Sequence, residues 1–122
     1  MAEGFSLTEM NRADPTNLTD MMRKHTPVIE APDQVKTGEP FAVALKVGGI
    51  EGVNHPNLLG HWINWVDLYA GDRLLARTEL APVASQPEAT LHIALEEPAT
   101  LRAVAYCNLH GVWEATKAVA VK

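Results

Sequence analysis

One hundred and twenty-two residues suit a single domain, and a chain of this size buries roughly two thirds of its unfolded surface, enough for a self-sufficient core. With 47% hydrophobic and 20% charged residues the composition is that of a globular protein rather than a disordered tail. Ten Lys and Arg against fifteen Asp and Glu leave a net charge of −5, which argues against nucleic-acid or anionic-membrane binding.

Residues 1–24 read as an arm distinct from the remainder. Ser6 followed by Glu9 is a capping-box pattern for a short helix that Pro15 would stop. Thr16 could begin a second turn through Leu18, Met21 and Met22. Neither piece is long enough to be stable alone, so the arm must dock on something. All four methionines lie in it, and adaptable apolar contact is the simplest use for them.

From Pro27 onward the period becomes two. Phe41, Val43, Leu45 and Val47 alternate with Ala42, Ala44 and Lys46 as in a half-buried strand. Trp62, Asn64, Val66 and Leu68 alternate with Ile63, Trp65, Asp67 and Tyr69, giving apolar bulk on both faces. Leu91, Ile93 and Leu95 form a further strand, Leu101, Ala103 and Ala105 another, and Val119 and Val121 a last short one. Turn signals stand between them at Lys36-Thr37-Gly38, Gly48-Gly49, Ala70-Gly71-Asp72 and Ser85-Gln86-Pro87. The expected fold is all-β, an immunoglobulin-like β-sandwich of about seven strands over 25–122 with the short irregular or helical arm of 1–24 in front, together one domain.

Five histidines and one cysteine carry the chemistry. His25 precedes the first strand, His55 and His61 flank one loop, and Cys107 and His110 bracket another. Loops at one end of a sandwich converge, so these positions can meet. His92 alternates with Leu91 and Ile93 and is placed on a solvated face. If the five donors converge, structural zinc, which closes with four, is over-supplied. Four imidazoles and a thiolate suit iron, with a sixth position left for something very small. Type 1 copper is the rival metal: Cys107 and His110 begin its loop pattern, but no Met follows Cys107, and two histidines would be left without a role. The lone cysteine forms no internal disulfide, no stretch approaches the ~20 apolar residues of a membrane span, and the opening residues lack the basic start of a leader. A reducing, cytoplasmic compartment is therefore expected.

Three blocks of the sequence resemble the superoxide reductases of the one-iron type, the neelaredoxins, and the iron-binding domain of desulfoferrodoxin. Lys24-His25-Thr26-Pro27 is similar to the family's Glu-Lys-His-x-Pro segment. His55-Pro56-Asn57 through His61, Ile63 and Trp65 resembles its His-Pro-Asn…His-x-Ile-x-Trp segment, and Cys107-Asn108-Leu109-His110-Gly111-Val112-Trp113 its Cys-Asn-x-His-Gly-x-Trp segment. The resemblance implies a mononuclear non-haem iron bound by His25, His55, His61, His110 and Cys107, with the thiolate opposite an open position. It implies one-electron reduction of superoxide to hydrogen peroxide, a rubredoxin-like electron donor, and a homo-oligomer, dimer or tetramer. Lys24, beside His25, is the expected catalytic group, supplying positive charge and orienting a water for protonation. Backbone N–H groups around 107–110 are expected to bond the thiolate, and Trp65 and Trp113 to pack around the site.

The pattern departs from the family at Arg23, where a glutamate usually binds ferric iron. Reduction is expected to survive that change, with product release or ferric-state stability altered. The region between Tyr69 and Leu91 reads as shorter than in many relatives, which bears on oligomer contacts. No second cysteine-rich segment precedes the sandwich, so electrons are expected from another protein. The competing functions are a non-catalytic metal or electron-transfer module, with iron or copper, and a sandwich interaction domain in which the histidines are incidental.

Overall fold

The computed structural model describes residues 4–122; Met1, one of the four methionines, lies outside them. In chain order the elements are β1 (Asn11–Arg12), α1 (Asp20–His25), β2 (Pro27–Glu30), β3 (Gln34–Val35), β4 (Phe41–Ile50), β5 (Val53–Asn54), β6 (Ile63–Ala70), β7 (Arg73–Glu79), β8 (Glu88–Ile93), β9 (Ala99–Cys107) and β10 (Gly111–Val121). One sheet runs β1-β10-β9-β6-β7, with β3 also on β10, and the other runs β2-β4-β5 with β8 on β4. Seven strands, β2, β4 and β6–β10, have four residues or more, which is the sandwich the alternation predicts.

The core lies between the sheets. Val43, Leu45 and Val47 of β4 face Val66 and Leu68 of β6, Leu101, Ala103 and Ala105 of β9, and Val119 of β10. Ile63 shares this core although simple alternation puts it opposite Val66. A bulge between Ile63 and Trp65, where β6 pairs with β9, adds a residue and switches the face. Trp65 therefore lies away from the site, stacked on Tyr106 at 5.8 Å with the Arg77 guanidinium 4.0 Å above it, and only Trp113 of the two expected tryptophans packs at the site.

The arm departs from its expected helices. Ser6 Oγ does accept from the backbone of Glu9 at 3.1 Å, but no helix follows. The chain instead runs to β1, which pairs in parallel with β10 through Asn11↔Trp113 and Arg12↔Glu114. The first helix is α1, capped not by Thr16 but by Thr19, whose Oγ1 accepts from Met22 N. Its six residues are too few to be stable alone, and they stand because they pack on β4 and β5.

Candidate metal centre

All five donor-bearing positions lie at one end of the sandwich. His25 closes α1, His55 follows β5, His61 precedes β6, Cys107 ends β9, and His110 sits in the turn to β10. The His55–His61 loop is closed by reciprocal backbone bonds between Leu58 and His61 at 2.9 and 3.1 Å. It is tied to the cysteine loop by Asn108, whose Oδ1 accepts from Trp62 N at 2.9 Å and whose Nδ2 donates to Gly60 O at 2.8 Å.

Ligand atoms of His25, His55, His61 and Cys107 lie within 4.8 Å of one another. His110 joins at the edge, with its Nδ1 3.7 Å from Cys107 Sγ and its ring 4.8 Å from that of His25 and 5.0 Å from that of His61. His25 and Cys107 are essentially inaccessible, and His55 nearly so. His92, the fifth histidine, is exposed on β8 as expected.

The hydrogen bonds orient the imidazoles. His25 Nδ1 is 2.7 Å from the carbonyl of Met21 one helical turn back, and His55 Nδ1 is 2.5 Å from the carbonyl of Pro56. Each carbonyl accepts a hydrogen bond from the protonated Nδ1 and leaves the Nε2 lone pair free for a metal. His55 Nε2 stands 3.3 Å from Cys107 Sγ. Nε2 of His25 and of His61 is buried with no hydrogen-bond partner. Two buried lone pairs without partners, beside a third imidazole and a thiol, fit a soft or borderline cation.

The electrostatics agree. Burial, the largest cause, reinforced by the neighbouring imidazoles, pushes His25 from its ordinary 6.5 down to about 4 and His55 to about 3. His61 is lowered by burial, and further by His110 and Lys24. His25, His55 and His61 are thus held toward the neutral form, the state a metal requires. Burial raises the Cys107 thiol, while N–H bonds from Leu109 and His110 stabilise its thiolate, as the sequence reading expected. A cation would displace that proton. Lys24, in the last turn of α1, is half-buried, and its positive charge is felt at both His25 and His61.

Sequence reasoning did not find Met21, Pro56, Phe5 or Gly48. The first two act through main-chain carbonyls, which leave no signature in residue type. Phe5 stands edge-on to His110, with ring centroids 4.8 Å apart. Gly48 was read only as a turn, but a side chain there would press on the carbonyl of Lys24 and come within 3.0 Å of His55 N. Arg23, the departure from the family pattern, donates to Glu51 at 2.6 Å and to Asp20 at 3.3 Å.

Fold and site together define a β-sandwich whose loop end gathers a buried His/Cys group able to hold one metal ion. The desulfoferrodoxin family model matches residues 17–116. Neelaredoxin of Megalodesulfovibrio gigas is 33% identical over 117 residues, covering 81% of this chain and 88% of the relative. The superoxide reductase of Pyrococcus horikoshii is 32% identical over 100 residues, covering 75% and 83%. Among solved structures, the superoxide reductase (neelaredoxin) of Ignicoccus hospitalis superposes with a TM-score of 0.72 at 40% identity, covering 80% of this chain and 81% of that one. The chain belongs to the desulfoferrodoxin family.

Proposed function

We propose that this chain is an oxidoreductase that reduces superoxide, by one electron and two protons, to hydrogen peroxide. The reading places one mononuclear iron on His25, His55, His61, His110 and Cys107. The observation that carries it is the buried donor group itself: neutral imidazoles, two of them with unpartnered buried Nε2 atoms, closed around a thiol in a member of this family. Iron held by these residues would supply the transferred electron, and the Cys107 thiolate would increase its electron donation.

The chain's own residues do the rest. The Met21 and Pro56 carbonyls fix the His25 and His55 rings. N–H groups of Leu109 and His110 hold negative charge on Cys107 Sγ. Trp113, inaccessible and stacked on His25 at 5.1 Å, excludes water from beneath that ring, and its Nε1 donates to the His110 carbonyl at 3.0 Å. Lys24 holds the incoming anion and orients the water that delivers a proton. The reading extends to a rubredoxin-like donor that restores the ferrous state, to a dimer or tetramer, and to the cytoplasm as the compartment. No helix among the described residues is long and apolar enough to cross a membrane. The chain acts as one iron-binding domain, 1–24 as its arm and 25–122 as its sandwich.

The deciding measurement is metal content on freshly purified protein, followed by a superoxide pulse on the ferrous form. One iron per chain, lost or spectrally changed in Cys107→Ser, with oxidation that tracks superoxide, is the expected result. Bound metal with no superoxide-dependent oxidation would make the chain an electron-transfer module. No metal, or a metal indifferent to Cys107→Ser, would overturn the site.

A further inference from the structure

Residues 5–12 take no part in the donor set, yet they are fastened to it. Asn11 is nearly inaccessible and is bonded on both sides: its Oδ1 accepts from Ser6 N at 2.7 Å, and its Nδ2 donates to Ser6 O and to Val112 O, each at 2.9 Å. Arg12 adds a 2.9 Å ion pair to Glu114, a carboxylate almost wholly buried. Gly111, the residue after His110, has φ +79, and a Cβ there would lie 2.7 Å from Ser6 O. The main chain of the arm therefore lies directly against the main chain of the histidine loop, and only glycine permits that approach.

The consequence falls on His110. Its ring is met by His25, His61 and Phe5, the last edge-on at 89° with centroids 4.8 Å apart. The first two are themselves donors toward a metal. Phe5 is the ring in this group that carries no donor, and it is half-buried rather than free in solvent. An edge-to-face contact is a favoured aromatic arrangement, and it resists rotation of both rings.

We propose that Phe5, held by the Asn11 clasp on β10, is a positioning residue for His110: it packs edge-on against the imidazole and keeps it from swinging out of the metal site. The proposal rests on the reading of His110 as a ligand. The arm is then part of the metal centre's outer shell, and metal retention depends on a segment outside the family-model match at 17–116. Outer-shell partners of metal-binding histidines are worth about 10–100-fold in affinity.

The test is the rate at which a chelator removes iron, and separately cobalt(II), from the loaded chain, read with the visible spectrum of each metal form. In Phe5→Ala, release speeds up about tenfold and the visible bands shift, while Phe5→Tyr stays near the parent in both. Asn11→Ala gives the same acceleration, and Phe5→Ala with Asn11→Ala gives no more than either alone, since both act through one docked arm. A Phe5→Ala chain that releases both metals at the parent rate, with unchanged bands, overturns the role of Phe5. Fully additive single variants overturn the clasp. A parent that retains neither metal fails earlier and overturns the metal reading itself, a separate and visible outcome.

Discussion

Gly48 shows how one residue can serve two segments of the His/Cys cluster. It sits at φ +80 with its amide donating to Thr26 O at 3.2 Å, and its bare Cα lies between the Lys24 carbonyl and the His55 amide. Gly48→Ala meets two penalties: about 1–2 kcal/mol for a left-handed L-residue, and displacement of the main chain flanking His25 and His55. The expected outcome is a lower thermal midpoint for the metal-free chain and weaker metal retention, read by melting and by chelator competition. A variant that melts lower yet holds metal as tightly as the parent would show that Gly48 serves the turn alone. Arg23 poses a different question. Its ties to Glu51 and Asp20 hold it on the flank of α1, so the carboxylate of Arg23→Glu would have two acidic neighbours to repel it toward any nearby cation. The ferrous form is expected to react with superoxide at the parent rate, while the ferric form shifts its visible band and binds azide more weakly. An unchanged ferric spectrum and azide affinity would show that position 23 does not reach the centre.

At the scale of elements, legibility followed the strength of the alternation. β4, β8 and β9 carry Val, Leu, Ile or Ala at every second position and are plain in the sequence. β7 was not read: Arg73-Leu74-Leu75-Ala76-Arg77 puts two leucines in succession and charges at its ends, because it is an edge strand with one face open to solvent. What fixes it is a side-chain fork: the Arg77 guanidinium meets both oxygens of Asp67, a carboxylate 1% exposed, at 2.7 and 2.8 Å. β10 was legible only at Val119 and Val121, since its first half packs Trp113 inward and buries Glu114 under Arg12 and Arg102. Burial by ion pairing has no period to read. The candidate donors, by contrast, stand out in the sequence because metal chemistry draws on few residue types, whatever element carries them. Asp67→Asn should destabilise the chain by about 2 kcal/mol, since it leaves a buried amide facing a guanidinium that had bonded two oxygens. Urea unfolding measures this, and it should leave the metal spectrum unchanged because the pair lies on the opposite face of β6 from the core residues Val66 and Leu68. A spectral change would mean that β7 is coupled to the site.

For the molecule as a whole, the donor cluster ties stability to pH. His25 and His55 take up protons at 6.5 when unfolded but only near 4 and 3 when folded. Between those values the unfolded chain binds more protons, so stability rises with pH across the window and is lost on acidification. Above 6.5 both states are neutral at these groups and the effect vanishes. The thermal midpoint of the metal-free chain is therefore expected to fall steadily from pH 6.5 toward pH 4. A flat profile across that range would mean that the imidazoles are not buried in solution.

Charge at the same scale bears on the substrate. A molecule carrying −5 repels superoxide at long range, while Lys24 stands at the donor end, close enough to depress the proton affinity of His25 and His61. Salt screens the two fields unequally, because at 0.15 M the screening length is about 8 Å and distant charges are lost first. The sign of the salt dependence thus reports which field the anion follows. With Lys24 governing the final approach, the rate of superoxide reaction in the parent should fall as salt is added. In Lys24→Gln, where only the global repulsion remains, the rate should start lower and rise with salt. Pulse radiolysis on the ferrous form across ionic strengths reads both slopes. Parallel slopes would place the steering charge elsewhere on the surface and leave Lys24 at most a role in proton delivery, which a solvent isotope effect on the reaction would then reveal.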